Sequence, residues 1–398
     1  MPEPPYRVLA VCSHPVQYMS PVLRRMAQHP LLDLNVAYCT LRGAEPTHDA
    51  DFNATVQWDV PLLDGYNWVE IPNRGSGSDS FFGLYNPGLT KLIRSGKFDA
   101  VLCYASYLCA SFWVAYFGCR LSRTAFIFGT DASSLAPRNV SRWKLRIKRI
   151  LWPFLFARAD QLIVPSSATR DLLLSLRIPS ERITLTPYSV DNDWWQAESA
   201  KVDRHAVRKA WGAKRSTVVI LFCGKLQPWK RPTDLLHAFS RLNSHDAILV
   251  YAGEGPLRPL LESEAVSLGI ADRVRFLGFK NQSQLPAVYT ASDLMVLPSV
   301  YEPFAVVVNE ASCCGCPVAS SDRVGAARDL IATVNPELIY PCGDREALAA
   351  ILRKILGRPA QLPELGRAAR HRMATWSPHE TVTGTLEAVG RAVQHVRR

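Results

Sequence analysis

Two glutamates, Glu302 and Glu310, stand eight positions apart on either side of a small apolar run. Pro303 suits a first helical position and Gly315 ends the run, so the sequence predicts a helix between them. Eight helical residues separate the two carboxylates by roughly 12 Å. Carboxylates that share a proton or flank one bond lie about 5–10 Å apart. The spacing instead favours two acceptors at opposite ends of an elongated polyhydroxyl ligand, with the helix N-terminus attracting an anion beside Glu302.

Glycines and lysines follow two strand-like runs upstream of this pair: Gly224, Lys225 and Lys230 come after residues 217–223, and Gly253 and Gly255 after residues 247–251. Two lysines beside a strand-to-helix turn could neutralise a diphosphate and stabilise it as a leaving group. Taken alone, loop lysines are usually only solvated, and the glycine pair is only a tight turn. Glycine, cation and carboxylate at three independent strand ends together predict a ligand site.

Short runs of Val, Ile and Leu alternate with helical stretches along the chain, which is typical of parallel strands buried on both faces. The predicted strands are residues 7–12, 34–39, 100–104, 125–128, 161–164 and 182–185, then 217–223, 247–251, 274–277, 294–297 and 317–320. Two such series, separated by a break over residues 191–215, predict an α/β protein with two doubly wound, Rossmann-like domains. Ligands of such sheets bind beyond the carboxyl ends of the strands, so we expect the site in the cleft between the domains.

The composition supports a folded protein of two domains. The chain has 398 residues, of which 48% are hydrophobic and 10% aromatic, and no apolar run approaches the roughly 18 residues of a membrane span. Ten scattered cysteines are typical of reduced thiols in a cytoplasmic protein. We expect Cys313, Cys314 and Cys316 to be small buried residues rather than metal ligands, because no histidine lies near them.

Several segments in combination resemble the nucleotide-sugar domain of the retaining glycosyltransferases of family GT4 (glycosyl transferases group 1), which have the GT-B fold. The segments are Gly224-Lys225-Leu226, Lys230-Arg231-Pro232, and residues 253–257, 289–299, 302–310 and 321–330. The likeness covers roughly residues 217–345, with a weaker likeness at 165–167 and 187–191. It implies an acceptor-binding domain over 1–195, a nucleotide-sugar domain over 205–375, and a last helix in 376–398 that crosses back to the first domain.

The resemblance also implies roles for individual residues. Lys225 and Lys230 would hold the diphosphate, Glu310 the ribose hydroxyls and Glu302 the hydroxyls of the donor sugar. The backbone around position 305, where relatives often have glycine, would close over sugar and phosphate. The implied donor-binding set is Gly224, Lys225, Lys230, Gly253, Gly255, Glu302, Phe304, Ala305, Val306 and Glu310. The alternative is that Glu302 is only a helix cap and Glu310 only a salt-bridge partner.

The implied chemistry is front-face attack with retention, in which the leaving phosphate helps to take the acceptor's proton. Lys225, Lys230 and Glu302 are the candidate catalytic residues. We expect no metal, because the lysines supply the positive charge and no Asp-x-Asp motif is convincing. The nucleoside-diphosphate sugar is a co-substrate, and we expect no other cofactor.

Two further candidates follow strands of the first domain. His14 lies after the first strand, where it could bond an acceptor hydroxyl or a diphosphate oxygen, although a histidine before proline is also an ordinary turn residue. Asp131 follows the strand 125–128, where relatives often place a histidine near the reacting sugar. It is a candidate hydroxyl ligand, with helix capping as the alternative.

The formal charge of +11 is concentrated in residues 120–158, which hold nine Lys or Arg against the single acid Asp131. Within this region, Trp143, Ile147, Leu151 and Phe154 recur at helical spacing. The sequence predicts a surface helix whose apolar stripe packs on the core. The alternative is a basic, aromatic face that rests on anionic lipid or meets an anionic acceptor. We expect no nucleic-acid partner, since no recognised module accompanies the charge.

Together these features predict retaining transfer of a sugar from a UDP- or GDP-linked donor to an acceptor hydroxyl. The expected setting is cell-surface polysaccharide or glycolipid assembly at the cytoplasmic face of the membrane, with peripheral attachment. The alternatives are glycosylation of a small soluble natural product, a sugar-nucleotide epimerase, and a non-enzymatic sugar-nucleotide sensor.

Overall fold

The computed structural model describes residues 5–49, 54–78, 80–136, 141–242 and 246–397. Its contacts divide the chain into two compact units. The first comprises residues 1–47, 60–189 and 377–398, and the second comprises 48–59 and 190–376. The described residues of the segment 48–59 therefore belong to the second unit, although the segment lies within the range that we assigned to the first domain.

The strands are β1 (Tyr6–Cys12), β2 (Leu32–Tyr38), β3 (Thr47–Asp49), β4 (Ala54–Val56), β5 (Asn67–Glu70), β6 (Ala100–Cys103), β7 (Ala125–Gly129), β8 (Gln161–Val164), β9 (Ile183–Leu185), β10 (Val218–Cys223), β11 (Ala247–Ala252), β12 (Val274–Gly278), β13 (Leu294–Leu297), β14 (Val318–Ser321) and β15 (Ile339–Tyr340). The helices are α1 (Met19–Ala27), α2 (Gly88–Gly96), α3 (Ala110–Ser122), α4 (Arg142–Phe156), α5 (Ser167–Ser175), α6 (Asn192–Ala200), α7 (Arg204–Ala210), α8 (Pro232–Ser240), α9 (Arg258–Ser267), α10 (Leu285–Ala291), α11 (Val307–Cys313), α12 (Arg345–Gly357), α13 (Leu362–Arg372) and α14 (Pro378–Arg397).

Each unit is built on one parallel sheet. The first sheet has the strand order β5-β2-β1-β6-β7-β8-β9, and the second has the order β12-β11-β10-β13-β14-β15. A separate two-stranded sheet pairs β3 with β4. The central strands β10 and β11 are buried along their whole length, as expected for strands covered by helices on both faces. The predicted fold class, two doubly wound α/β domains, is confirmed.

The last helix, α14, belongs to the first unit and packs on α1 and on β7, β8 and β9. Thr381 near its start donates a hydrogen bond to the carbonyl of Pro187 at 2.6 Å. A Cβ on Gly384 would lie 2.2 Å from the carbonyl oxygen of Leu185, so glycine allows the helix to approach this strand closely. No helix among the described residues is both long and apolar enough to cross a bilayer.

The basic region forms the predicted helix α4, but the prediction of its buried face is wrong. The four side chains of the predicted stripe are 43–62% exposed: Trp143, Ile147, Leu151 and Phe154. The helix is held instead by Trp152, which is 6% exposed and donates a hydrogen bond from Nε1 to the hydroxyl of Tyr107 at 3.1 Å. The helix has two apolar stripes, and the one that contains Trp152 and Phe156 packs inward. Arg138, one of the nine basic residues, lies outside the described residues.

Candidate functional site

The second sheet reverses its strand order between β10 and β13, which lie side by side. Ligands of doubly wound sheets bind at such a switch point, beyond the carboxyl ends of the strands. The segment with Gly224, Lys225 and Lys230 follows β10. The segment that leads to Glu302 follows β13. The candidate donor-binding residues of these two segments therefore lie at the edge where the fold itself creates a binding position.

The glycines after β10 and β11 allow the two loops to pack backbone against backbone. A Cβ on Gly253 would lie 1.9 Å from the carbonyl oxygen of Gly224, and one on Gly255 would lie 2.7 Å from that of Leu226. The Leu226 N–H donates to the Glu254 carbonyl at 2.8 Å. Both glycines have φ above +150°. Their conformation and contacts are thus explained by the neighbouring loop, without a ligand.

Lys230 and Glu302 meet across the switch point. The Nζ atom of Lys230 lies 2.5 Å from Oε1 of Glu302, and the side chains are 21% and 10% exposed. Ser299 donates a second hydrogen bond to the same oxygen at 2.8 Å. Both donors reach Oε1, so Oε2 keeps its capacity to accept from a ligand hydroxyl. The ammonium group likewise has further N–H donors, and the ion pair holds it at the strand ends.

The helix that carries Glu310 begins later than the sequence predicts. It starts at Val307, not at Pro303, and has seven residues. Glu302 lies outside it, in a backbone bridge with Val324. The Gly325 N–H donates to the Glu302 carbonyl at 3.0 Å, and a Cβ on Gly325 would lie 1.9 Å from the carbonyl oxygen of Pro303. The axial separation of 12 Å derived for one continuous helix therefore does not hold.

Ala305 occupies the bend between this bridge and α11, with φ at +81°. This left-handed conformation is normally taken by glycine, and an alanine there costs roughly 1–2 kcal/mol. After the bend, the first N–H group that donates a hydrogen bond to the backbone is that of Val308, which bonds the Ala305 carbonyl at 3.0 Å. The hydrogen bonds of the described residues include no partner for the N–H groups of residues 305–307. These N–H groups can therefore serve as donors to an anion.

Glu310 is buried, with 3% of its surface exposed. Its Oε2 accepts a hydrogen bond from the Tyr289 hydroxyl at 2.8 Å, and its Oε1 accepts one from Gln282 at 3.3 Å. Burial raises the pKa of the Glu310 carboxyl to about 6, against the opposing effect of these two donors. Among the described residues, no cation forms an ion pair with Glu310. Its partners are neutral donors, so Glu310 is not a salt-bridge partner as the alternative supposed.

The remaining donor-site candidates are distributed along the same two segments. Lys225 is half-buried directly after Gly224. The ring of Phe304 is buried and stacks on Trp376 at 6.1 Å between centroids, so only its backbone is available to a ligand. Val306 precedes α11 and its carbonyl accepts from the Glu310 N–H at 3.2 Å.

His14 of the first unit lies exposed just after β1. Its Nδ1 is 3.0 Å from the hydroxyl of Ser13. Partial desolvation at the strand end, and secondly the charge of Arg42, lower the pKa of the His14 imidazole. A neutral imidazole has one nitrogen available as an acceptor, which suits a hydroxyl donor.

Asp131 lies in a tyrosine cluster at the ends of the first sheet's strands. The rings of Tyr18 and Tyr188 are 5.4 Å apart, and Asp131 is close enough that its charge raises the pKa of both hydroxyls, after the larger effect of burial. Burial also raises the pKa of Asp131 itself. Tyr104 joins the cluster after β6, and a Cβ on Gly129 would approach its ring to 2.9 Å. These hydroxyls and the carboxylate can together bind a polyhydroxyl ligand.

The cysteines are free thiols, and Cys313, Cys314 and Cys316 are buried. Burial raises the pKa of each of these thiols. Across the described ranges, His, Cys, Asp and Glu side chains form no group of three that could hold a metal ion.

Sequence reasoning assigned no role to several residues that shape the site. Ser299, Tyr289 and Gln282 donate to the two glutamates. Ser299 and Tyr289 lie in segments that carried the family resemblance, which was a usable signal. Gln282 had none, because nothing local links it to a residue 28 positions away. Gly325, within the segment 321–330, was also recognisable only as part of a motif.

Comparison with known proteins gives a match for each unit. The family model described as "Glycosyl transferases group 1" matches residues 203–372, and the one described as "Glycosyltransferase Family 4" matches residues 32–194. Similar proteins include a D-inositol 3-phosphate glycosyltransferase from Mycobacteroides abscessus, 33% identical over 60% of this chain and 53% of its own length. A 2-deoxystreptamine glucosyltransferase from Streptomyces kanamyceticus is 30% identical over 65% of this chain and 63% of its own length. The matches thus span little more than half the length of these relatives.

A similar solved structure is that of HepE from Anabaena in complex with UDP. It has a TM-score of 0.73 and 18% identity, and the superposition covers 96% of this chain and 99% of HepE. A likeness at this level of identity shows the fold. The two matching family models, one on each unit, show that the chain belongs to the GT4-like glycosyltransferases, and the shared architecture shows that it has the GT-B fold.

Proposed function

We propose that the protein transfers a sugar from a nucleoside-diphosphate sugar to an acceptor hydroxyl, with retention of configuration and without a metal ion. The observation that carries this proposal is the convergence of Lys230, Glu302 and the bend at Ala305 on the switch point of the second sheet. The HepE structure with UDP supports a nucleotide donor, because that protein has the same fold.

The proposed donor lies with its diphosphate between Lys225, Lys230 and the N–H groups of residues 305–307. Its ribose hydroxyls bond Glu310, and its sugar hydroxyls bond Oε2 of Glu302. The ion pair with Glu302 positions Lys230 before the donor arrives, so little reorganisation is needed when charge develops. Glu310 must then be ionised to accept both ribose hydroxyls, which requires a pH near or above its raised pKa.

In the reaction, the bond between the anomeric carbon and the diphosphate oxygen breaks, and a bond to the acceptor oxygen forms on the same face. The acceptor's proton passes to the departing phosphate oxygen. Positive charge develops on the sugar and negative charge on the diphosphate, where the two lysines stabilise it. We assign the acceptor to His14, Asp131 and the tyrosines of the first unit.

For the acceptor, we propose a saccharide or glycolipid of cell-surface assembly at the cytoplasmic face of the membrane. A small soluble acceptor is the second candidate, and relatives named for D-inositol 3-phosphate and 2-deoxystreptamine favour it.

Incubation of the protein with UDP- and GDP-sugars, first alone and then with acceptors, tests the proposal. We expect release of nucleoside diphosphate and an acceptor glycoside with the donor's anomeric configuration, undiminished by EDTA. Conversion of the donor to an epimer without acceptor would show an epimerase, and binding without any product would show a sensor. An inverted product or an absolute requirement for a divalent ion would contradict the proposed mechanism.

A further inference from the structure

The helix α4 presents an apolar face to solvent. Five large side chains are 43–62% exposed: Trp143, Ile147, Ile150, Leu151 and Phe154. At 100° per residue they fall within a sector of about 100°, which lies opposite the buried residues Trp152 and Phe156. This face cannot also pack on the core, because Trp152 fixes the opposite side of the helix there. A contiguous exposed stripe of this kind marks an interaction surface.

Basic side chains flank the stripe. The segment 141–158 contains six Lys or Arg and no acid. Lys144 lies at one edge of the apolar sector and Arg146 at the other, while Arg149 lies further round toward the buried side; all three are exposed. Neither Arg146 nor Arg149 forms an ion pair with any described residue. An apolar face with a cation at each edge matches the boundary between acyl chains and anionic headgroups of a bilayer.

A cavity of about 820 Å³ opens beside this face, in the range of ligand-binding pockets. Its lining combines three arginines, Arg149, Arg177 and Arg182, with apolar groups that include Phe154 and Ile178. Arg177 has no described acidic partner. Arg182 donates to the carbonyl of Ala157 at 3.0 Å and to that of Ala159, whereas its buried Nε–H has no hydrogen-bond partner among the described residues. Guanidinium groups bind phosphate oxygens well.

We propose that this cavity and the exposed face of α4 form a docking surface for an anionic phospholipid bilayer. A lipid phosphate binds among Arg149, Arg177 and Arg182, and the side chains from Trp143 to Phe154 enter the headgroup boundary. Charge complementarity selects this occupant, because a cationic rim around an apolar stripe attracts an anionic surface and repels a second copy of itself. The surface lies wholly within the first unit and is independent of the donor site.

Vesicle co-sedimentation tests the proposal, with phosphatidylcholine alone and with added phosphatidylglycerol. We expect binding to the anionic vesicles that decreases with salt, and little binding to the neutral ones. Phe154→Asp should abolish it, and the double variant Arg149→Glu with Arg177→Glu should lower it at least tenfold, since each basic residue near such a surface contributes about fivefold.

The matched controls are Val266→Asp and Lys209→Glu, which change exposed residues of the second unit and should bind as the wild type does. Thermal unfolding of every variant verifies that it is folded. Equal binding to neutral and anionic vesicles, no binding at low salt, or binding that survives these changes would overturn the proposal. A wild-type dimer that Phe154→Asp converts to a monomer, without vesicle binding, would also overturn it and assign the face to self-association.

Discussion

The two units use their charged and apolar groups in opposite ways. In the second unit, the side chains of the candidate donor site bond one another: Lys230 and Ser299 hold Glu302, while Tyr289 and Gln282 hold Glu310. In the first unit, Arg146 and Arg149 of α4 are exposed beside exposed apolar side chains and form no ion pair with a described residue. Of the described large apolar side chains that are exposed, only Leu260, Val266 and Val300 belong to the second unit.

The difference indicates what each unit recognises. A site whose charges are fixed by internal partners is arranged before its ligand binds, which suits a small donor with a diphosphate. A surface of exposed cations around exposed apolar groups suits an extended partner. The donor site could therefore be recognised from short motifs, whereas the first unit could be interpreted only after its packing was known.

We expect the largest effect on kcat/KM when the positive charge at the switch point is removed. Lys230→Ala should cost about 2–4 kcal/mol of transition-state stabilisation, or roughly 30- to 1000-fold in kcat/KM, because the departing diphosphate loses an ammonium group. Steady-state kinetics with the identified donor measures this, with Lys209→Ala as a control in the same unit. A near-normal rate would mean that Lys230 serves only to neutralise Glu302.

Substitutions of the two glutamates should have different effects, one on nucleotide binding and the other on turnover. Glu310→Ala should weaken binding of nucleoside diphosphates and of their sugar derivatives alike by about 1.5–3 kcal/mol, since it removes a charged acceptor from the ribose. Glu302→Ala should leave the affinity for free nucleotide nearly unchanged and lower kcat. Titration calorimetry and kinetics distinguish the two. Equal loss of nucleotide affinity in both variants would contradict this division.

A matching change in the first unit tests whether that unit binds the acceptor. Asp131→Asn should raise the acceptor KM by about fivefold, or about 1 kcal/mol, because an amide is a weaker acceptor than a carboxylate. The affinity for the donor should not change. Loss of donor affinity with an unchanged acceptor KM would move Asp131 out of the acceptor site.

The buried carboxyl of the second unit should make stability depend on pH. The pKa of Glu310 is about 6 in the folded protein and 4.5 ordinarily, so between these values the native state binds more protons than the unfolded state. Its contribution therefore favours folding at acid pH and is lost as pH rises, by about 1 kcal/mol from pH 5 to 7. The contribution of Glu310 is the difference in free energy of unfolding between the wild type and Glu310→Gln, measured by urea unfolding at each pH. A difference between the two proteins that stays constant with pH would show that Glu310 is ionised throughout.

The smallest expected effect concerns the bend at residue 305. Ala305→Gly should raise the free energy of unfolding by about 0.5 kcal/mol, because relief of the left-handed strain outweighs the entropy that glycine loses. Urea unfolding measures the change, and Ala347→Gly, within α12, is the control that should instead destabilise. A loss of stability in Ala305→Gly would show that the bend is not strained.

The strands were predictable because their apolar runs are buried on both sides, and β8 and β13 begin and end where the sequence predicts. The edge strand β5 was missed, since all four of its residues are exposed and carry no apolar run. The short strand β15, with two residues, left no pattern at all.

The start of α11 could not be predicted locally. Pro303 fits a first helical position, but the backbone of Glu302 and Phe304 bonds residues 323–326, which are distant in sequence. Likewise, α4 contains two apolar stripes, and the packing of Trp152 and Phe156 in the core of the first unit decides which one is buried. In both cases a tertiary contact overrides a correct local pattern.

The central claim is that a nucleoside diphosphate binds at the switch point with its ribose on Glu310. Titration calorimetry of UDP and GDP into the wild type, Glu310→Gln and the exposed control Glu364→Gln tests it most directly. We predict that at least one nucleotide binds the wild type and Glu364→Gln equally, and binds Glu310→Gln at least tenfold more weakly. Absence of binding by either nucleotide, or equal affinity in all three proteins, would contradict the account.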